Sequence, residues 1–282
     1  MKYSLKCPAK INEFLAVGKP DERNYHPIRT IFCTVSLFDT LEILEQSTDE
    51  IIVENAVLPE ENSLTKALKY LKENCELNIP KIQIKLQKNI PIEAGLGGGS
   101  SDAAGVLRYG FNWAKNAEKI DENTLNSFIT NSWVIGADVP FFVRGGRAIG
   151  EGYGEKLQQL EDFENCYLII AKPRVGCATG DTYNLLDKKP MDFRPLPAVS
   201  GFLADPYNDF ERVAPCESLE LIELLQLRGA FASMLSGSGS AVFGAFRTEK
   251  LRDTAFLELR THRNLSICRC EPLPQYSPYK VD

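Results

Sequence analysis

Apolar positions in the first half of the chain fall into short continuous runs and one helical stretch. The runs at 31–37, 41–44 and 51–53 are rich in Ile, Leu and Val and are broken by polar turns, which predicts strands. From Ser63, a good N-cap, Leu64, Ala67, Leu68 and Leu71 recur at three- and four-residue intervals and predict a helix to about 74. Ile82, Ile84 and Leu86 alternate with Gln83, Lys85 and Gln87, the period of a half-buried strand. That strand runs into a glycine-rich loop, after which 102–116 reads as a helix.

Beyond it, Gly145, Gly146, Gly150, Gly152 and Gly154 mark turns or the approach to a domain boundary, set near 155. The second half predicts a strand at 167–171, a Pro-rich loop at 189–206, a helix at 218–227, a strand at 241–246, a helix at 250–260 and a strand at 265–268. No sequence repeat is visible. The expectation is an α+β chain of two domains, 1–155 and 156–282, which 282 residues can accommodate.

Composition changes little in this picture. Hydrophobic residues make up 44% and charged residues 25%, as in ordinary globular proteins. The net charge of -6 argues against a broad nucleic-acid or membrane-surface footprint but leaves room for a local basic pocket that takes phosphate. Eight cysteines are scattered without a CxxC pair or a His cluster, which disfavours zinc and reads as reduced thiols. Met1 is followed by no apolar signal region, and no apolar stretch approaches the roughly 20 residues of a membrane span, so a cytoplasmic location is expected.

The most informative stretch is Pro91-Ile92-Glu93-Ala94-Gly95-Leu96-Gly97-Gly98-Gly99-Ser100-Ser101, between the strand and the helix. Glycines allow left-handed backbone and close approach of a polyphosphate, and a helix N-terminus supplies amides to it. Ser100 or Ser101 would cap the helix, with a hydroxyl available to phosphate or Mg²⁺. A plain flexible turn is the alternative. A Walker A loop does not fit, because no GK[ST] ending follows, and a dinucleotide fingerprint fails because Ser100 stands where its third glycine belongs.

Together with Cys7-Pro8-Ala9-Lys10-Ile11-Asn12 and Leu235-Ser236-Gly237-Ser238-Gly239-Ser240, this loop resembles the three motifs of the GHMP kinases. Asn24-Tyr25-His26, 136–142 and 208–211 are similar to the branch of that superfamily that phosphorylates a cytidine diphosphate derivative in non-mevalonate isoprenoid synthesis. The resemblance implies a ribosomal protein S5 domain 2-like N-terminal domain that binds ATP and a ferredoxin-like C-terminal domain that contributes to substrate binding. It further implies Mg²⁺ with the nucleotide, small-molecule substrates, no nucleic-acid or membrane partner, and a monomer or weak dimer. Cys7, Glu13 and Asn24 depart from the family pattern; Asn tolerates the left-handed turn that a glycine before Tyr-His would make.

On that reading Asp138 is the base that takes the acceptor hydroxyl's proton, and Lys10 keeps it ionised and stabilises developing alkoxide. Asp138 also suits an N-cap before Val139-Pro140, and Lys10 a surface lysine. Tyr25 offers a stacking face for a pyrimidine and His26 offers ring nitrogens to its edge; a structural histidine is the alternative. Tyr183, with Thr179 nearby, matches the second stacking face, or is a partly buried turn tyrosine. Asn12 would bind the substrate or hold a turn, and the resemblance assigns Asn62 and Lys88 to adenosine. The segment 236–240 would lie against the phosphate site, or make a hairpin turn. Rival readings are a GHMP kinase for mevalonate or homoserine, a noncatalytic nucleotide sensor and a dinucleotide-dependent oxidoreductase.

Overall fold

Two long antiparallel strands carry the N-terminal half: β1, Lys2–Val17, and β2, Ile28–Glu45. The computed structural model describes residues 2–163, 166–189, 192–199, 201–262 and 264–281; positions 190, 191 and 200 of the Pro-rich loop lie outside the described residues. The sequence pattern predicts two short strands where β2 is continuous, and nothing where β1 lies. Both faces of this pair are covered: Ala9, Ile11, Cys33 and Val35 belong to one apolar cluster, while Cys7, Leu15 and Phe32 belong to another. A strand buried on both sides loses the period-two signal that pattern reading depends on.

The remaining strands of this sheet are β3 (Glu50–Val53), β4 (Ile82–Gln87), β5 (Arg147–Glu151) and β6 (Lys156–Gln159). The order is β3-β4-β2-β1, with β5 on β2 and β6 on β5. A domain boundary near 155 therefore falls inside the β5–β6 turn, and the first sheet keeps the chain through Gln159. Four helices accompany it: α1 (Ser63–Lys69, continued by a π-helical turn at Tyr70–Asn74), α2 (Gly98–Asn116), α3 (Glu122–Asn131) and α4 (Val139–Arg144). Helix α2 begins at Gly98 rather than at 102. Its N-cap is Gly97 in left-handed backbone with φ 70°, so Ser100 and Ser101 sit within the helix and neither caps it.

The second sheet has the order β11-β7-β10-β9, from β7 (Tyr167–Pro173), α5 (Thr179–Leu186), α6 (Cys216–Leu227), β9 (Ala232–Leu235), β10 (Val242–Phe246), α7 (Glu249–Leu259) and β11 (Leu265–Cys270). This is a ferredoxin-like arrangement. Between α5 and α6 the short β8, Tyr207–Asn208, returns to pair in parallel with β1. The two faces of the second sheet divide between two cores. Ile169, Val242 and Phe246 cluster with Leu225 and Leu259 of the helices, whereas Leu168, Ile170 and Phe243 cluster with Ala9 and Ile11 of β1. The sheets are thus stacked through a shared apolar layer, with the glycine loop at its margin. The chain's tail bridges back to the first sheet at Val35–Pro272 and to the residue after α4 at Gly145–Gln275.

Candidate active site

The three motifs meet through backbone hydrogen bonds. Ala94 and Leu96 of the glycine loop are buried in the inter-sheet layer, while the carbonyls beside them are tied outward. Lys10 N–H donates to Leu96 O (3.0 Å), Ala241 N–H to Ala94 O (3.2 Å) and the Ser236 hydroxyl to Gly95 O (3.1 Å). Gly95 has φ 70°, and a Cβ there would stand 1.9 Å from Ser236 O. Gly95 therefore serves close packing against the 236–240 segment. At the start of α2 the first intrahelical bond is Ser101 N–H to Gly97 O (3.0 Å). The amides before it have no helical acceptor and lie where an anion is favoured.

Positions 91–100 line one wall of a cavity of about 780 Å³, which also takes in Lys10, Asp138, Tyr25, His26, Thr179 and Tyr183. That volume suits a sizeable small-molecule ligand. Ser101 does not line it; its hydroxyl is buried without a partner.

Near the middle of the wall, Lys10 Nζ lies 4.0 Å from Asp138 Oδ2, with side-chain exposures of 6% and 26%. Asp138 occupies the N-cap position of α4 but its side chain makes no capping bond, so the carboxylate stays available to the cavity. Lys10 also donates to Asn12 Oδ1 (2.6 Å) and lies over the Phe32 ring. Burial pulls its ammonium below the ordinary lysine range, and Asp138 works against that shift.

A turn presents Tyr25 and His26 to the cavity. Asp21 Oδ1 accepts the amides of Arg23 (2.9 Å) and Tyr25 (3.0 Å), and Asn24 takes left-handed backbone with φ 63°, as the sequence leads one to expect. Tyr25 is 62% exposed and its ring lies 5.5 Å from that of Tyr153. His26 Nδ1 contacts Gly18 O (3.0 Å), its Nε2 lies 3.5 Å from Asp187 Oδ1, and its ring lies 4.7 Å from Tyr183. Tyr183 in turn packs edge-on to Phe210 at 4.8 Å.

Profiles of two families match the chain: "GHMP kinases N terminal domain" over 62–146 and "GHMP kinases C terminal" over 204–264. A 4-diphosphocytidyl-2-C-methyl-D-erythritol kinase from Exiguobacterium sibiricum is 35% identical, covering 92% of this chain and 94% of its own. One from Clostridium beijerinckii is 34% identical, covering 86% and 90%. The chain belongs to the 4-diphosphocytidyl-2-C-methyl-D-erythritol kinase family of GHMP kinases. A crystal structure of 4-(cytidine 5'-diphospho)-2C-methyl-D-erythritol kinase superposes with a TM-score of 0.76 at 30% identity, over 95% of this chain and 98% of that one. Mevalonate kinase from Methanococcus jannaschii shares the fold, with a TM-score of 0.70 at 17% identity over 97% and 99%. As a member of the erythritol kinase family, the protein is an ATP-using small-molecule kinase of non-mevalonate isoprenoid synthesis. Among the described residues no helix is long and apolar enough to cross a membrane.

Several residues expected at ligand are engaged elsewhere. Asn12 lines the cavity but is buried, with its carbonyl oxygen accepting from Lys10 and from Gly237 N–H (2.9 Å) and its amide donating to Thr30 (2.8 Å). Asn62 caps α1 through Oδ1 and does not line the cavity. Lys88 reaches the cavity, but its ammonium is held by the buried carboxylates of Asp39 and Asp102, the latter at 2.9 Å. Burial lowers the Lys88 ammonium, yet Asp102 and Asp39 outweigh it and hold it above its usual range. Sequence reading missed Asp187 and Tyr153. Asp187 follows Tyr183 by one helical turn, so the spacing that places Tyr183 on the cavity face of α5 also carries Asp187 there. Tyr153 sits among turn glycines and has no sequence signal of its own.

Proposed function

We propose that Lys10 and Asp138 carry transfer of the ATP γ-phosphate to the 2-hydroxyl of 4-diphosphocytidyl-2-C-methyl-D-erythritol. The observation that carries this reading is the 4.0 Å Lys10–Asp138 pair, flanked in one cavity by the glycine-loop amides and by the Tyr25-His26 turn. The acceptor oxygen forms a bond to the γ-phosphorus as the bond to the ADP oxygen breaks, and its proton passes to Asp138. A weak carboxylate base suffices, since the loose transition state releases that proton late. Lys10 stabilises negative charge on the attacking oxygen, and its partly desolvated ammonium acts with little screening.

The amides at the start of α2 hold the nucleotide phosphates. Mg²⁺ bound with the nucleotide would supply positive charge against the phosphates. No group of three or more metal-ligating side chains occurs among the described residues, and the Ser100 hydroxyl, which lines the cavity, would be the protein's contact to such an ion. Tyr25 stacks on the cytosine with Tyr183 on its far side, His26 reads the base edge, and Thr179 stands near the substrate.

Steady-state assays with ATP and the cytidyl substrate, with mevalonate and homoserine as controls, test the reading. Lys10→Met and Asp138→Asn should each lower kcat by about 10²-fold or more while ATP binding persists. Full turnover by either variant removes these roles, and turnover of the control substrates alone removes the substrate assignment.

A further inference from the structure

The assignment of Lys10 raises the question of what holds so mobile a side chain in place. Lysine carries four rotatable side-chain bonds, and its partner Asp138 at 4.0 Å is too distant to fix the amine by a hydrogen bond. The close contact is instead Asn12 Oδ1 at 2.6 Å. An asparagine amide presents an acceptor on one arm and a donor on the other, and a half-turn about its last bond would turn an N–H toward the ammonium. Something must hold the acceptor inward.

The neighbouring strand supplies it. Register pairs Asn12 with Phe32, so Thr30, two residues further along β2, lies diagonally opposite Asn12 on the same face. The register shifts between Asn12 and Phe14, a bulge that brings the Phe14 carbonyl into line with the threonine. The Thr30 hydroxyl gives its only hydrogen to Phe14 O (2.7 Å). Toward Asn12 its oxygen can therefore act only as an acceptor, and Asn12 Nδ2 donates to it at 2.8 Å. The donor arm committed to Thr30 and the Gly237 amide together keep Oδ1 inward. There it accepts from Lys10 Nζ and, at 2.9 Å, from Gly237 N–H of the third motif. Thr30 and Asn12 are both buried, and Asn12 also lines the cavity.

We infer that Thr30 is a positioning residue for phosphoryl transfer: through Asn12 it locks the amide orientation that holds Lys10 and joins it to the third motif. This rests on the role of Lys10 proposed above. Thr30 lies outside the cavity lining and touches no substrate position. Thr30 itself meets no ligand, so its effect is expected chiefly in turnover.

The test compares Thr30→Val, which keeps the shape and removes the hydroxyl, with Thr30→Ser, which restores it. Thr30→Val should lower kcat about tenfold or more, with KM for both substrates within about twofold. Without the oriented carbonyl, the ammonium loses a bond that favours its charged form. The alkaline limb of kcat should then move to lower pH by about one unit. Thr30→Ser should recover most of the rate and return the limb. If Thr30→Val does not fold, Thr30→Ala is measured in its place beside the serine variant. A hydroxyl-free variant with wild-type kcat, a loss confined to KM, or a serine variant as slow as the valine one overturns the inference. An active Lys10→Met enzyme would instead show that the underlying role of Lys10 is wrong, and a dead Lys10→Met with a normal Thr30→Val would sink the positioning role alone.

Discussion

Gly95 and Ser236 are in contact closer than any side chain would allow: a Cβ on Gly95 would stand 1.9 Å from the Ser236 carbonyl oxygen. The obstacle is backbone, which cannot swing away. Gly95→Ala also meets a φ of 70° that L-residues disfavour. The substitution should cost about 3 kcal/mol or more in denaturant unfolding and raise KM for ATP in whatever folds. An alanine variant of wild-type stability would mean that the two motifs are not held this closely.

Lys10 carries a second expectation, on stability. Its folded-state pKa lies below the ordinary lysine value because burial disfavours the charge. The unfolded chain then binds more protons in the window between the two values, so that part of the stability grows as pH rises through it. Lys10→Met should be inactive yet more stable than wild type near neutral pH, by ~1 kcal/mol. That gain should shrink as pH is raised toward about 10. Thermal unfolding at several pH values reads this directly, and a methionine variant less stable at pH 7 would count against a desolvated ammonium.

Tyr25 and His26 line the same cavity as the glycine loop but belong to the turn assigned to the pyrimidine, so their truncation should discriminate between the two substrates. Tyr25→Ala and His26→Ala are expected to raise KM for the cytidyl substrate by about tenfold or more, the scale of one lost base-stacking contact, and KM for ATP by less than about twofold. Equal effects on both would mean that the pyrimidine lies elsewhere.

Glu13 stands where the family commonly has leucine, yet Glu13→Leu should be damaging. The carboxylate is buried, binds Arg147 through both oxygens, one at 2.8 Å, and accepts Leu203 N–H at 2.9 Å. Burial raises its pKa, and Arg147 and the Leu203 amide act against that. Removing it strands a buried guanidinium, at a cost of about 3–5 kcal/mol. Glu13→Leu combined with Arg147→Leu should recover part of that loss in chemical denaturation; a double variant as weak as the sum of the singles would show that the charges act independently.

Legibility in the sequence followed how local each signal was. The half-buried β4 and the helix from Ser63 were readable because their patterns keep a polar face. Motif spacing, which survives without coordinates, singled out the glycine loop, Lys10, Asp138 and the Tyr25-His26 turn, and the fold brings all of them to one cavity. Strand β1 was not, since both of its faces are covered and its pattern is flat. The start of α2 was misread because serines looked like caps, when a left-handed Gly97 had already begun the helix.

The amino-acid sequence by itself determined that a glycine-rich loop lies between a strand and a helix, and its motifs singled out Lys10 and Asp138, which line the same cavity as that loop. Tertiary structure alone decided which side chains are free to act. Asn12, Asn62 and Lys88 look like ligand contacts in a linear reading, but their hydrogen-bonding groups are engaged by partners from elsewhere in the fold: Thr30 and Gly237, the first turn of α1, and the Asp39–Asp102 pair. Gly95 likewise serves a backbone 141 positions away. Sequence records which groups are present, whereas occupancy of each donor and acceptor depends on distance, and distance is set only when the strands and sheets are assembled.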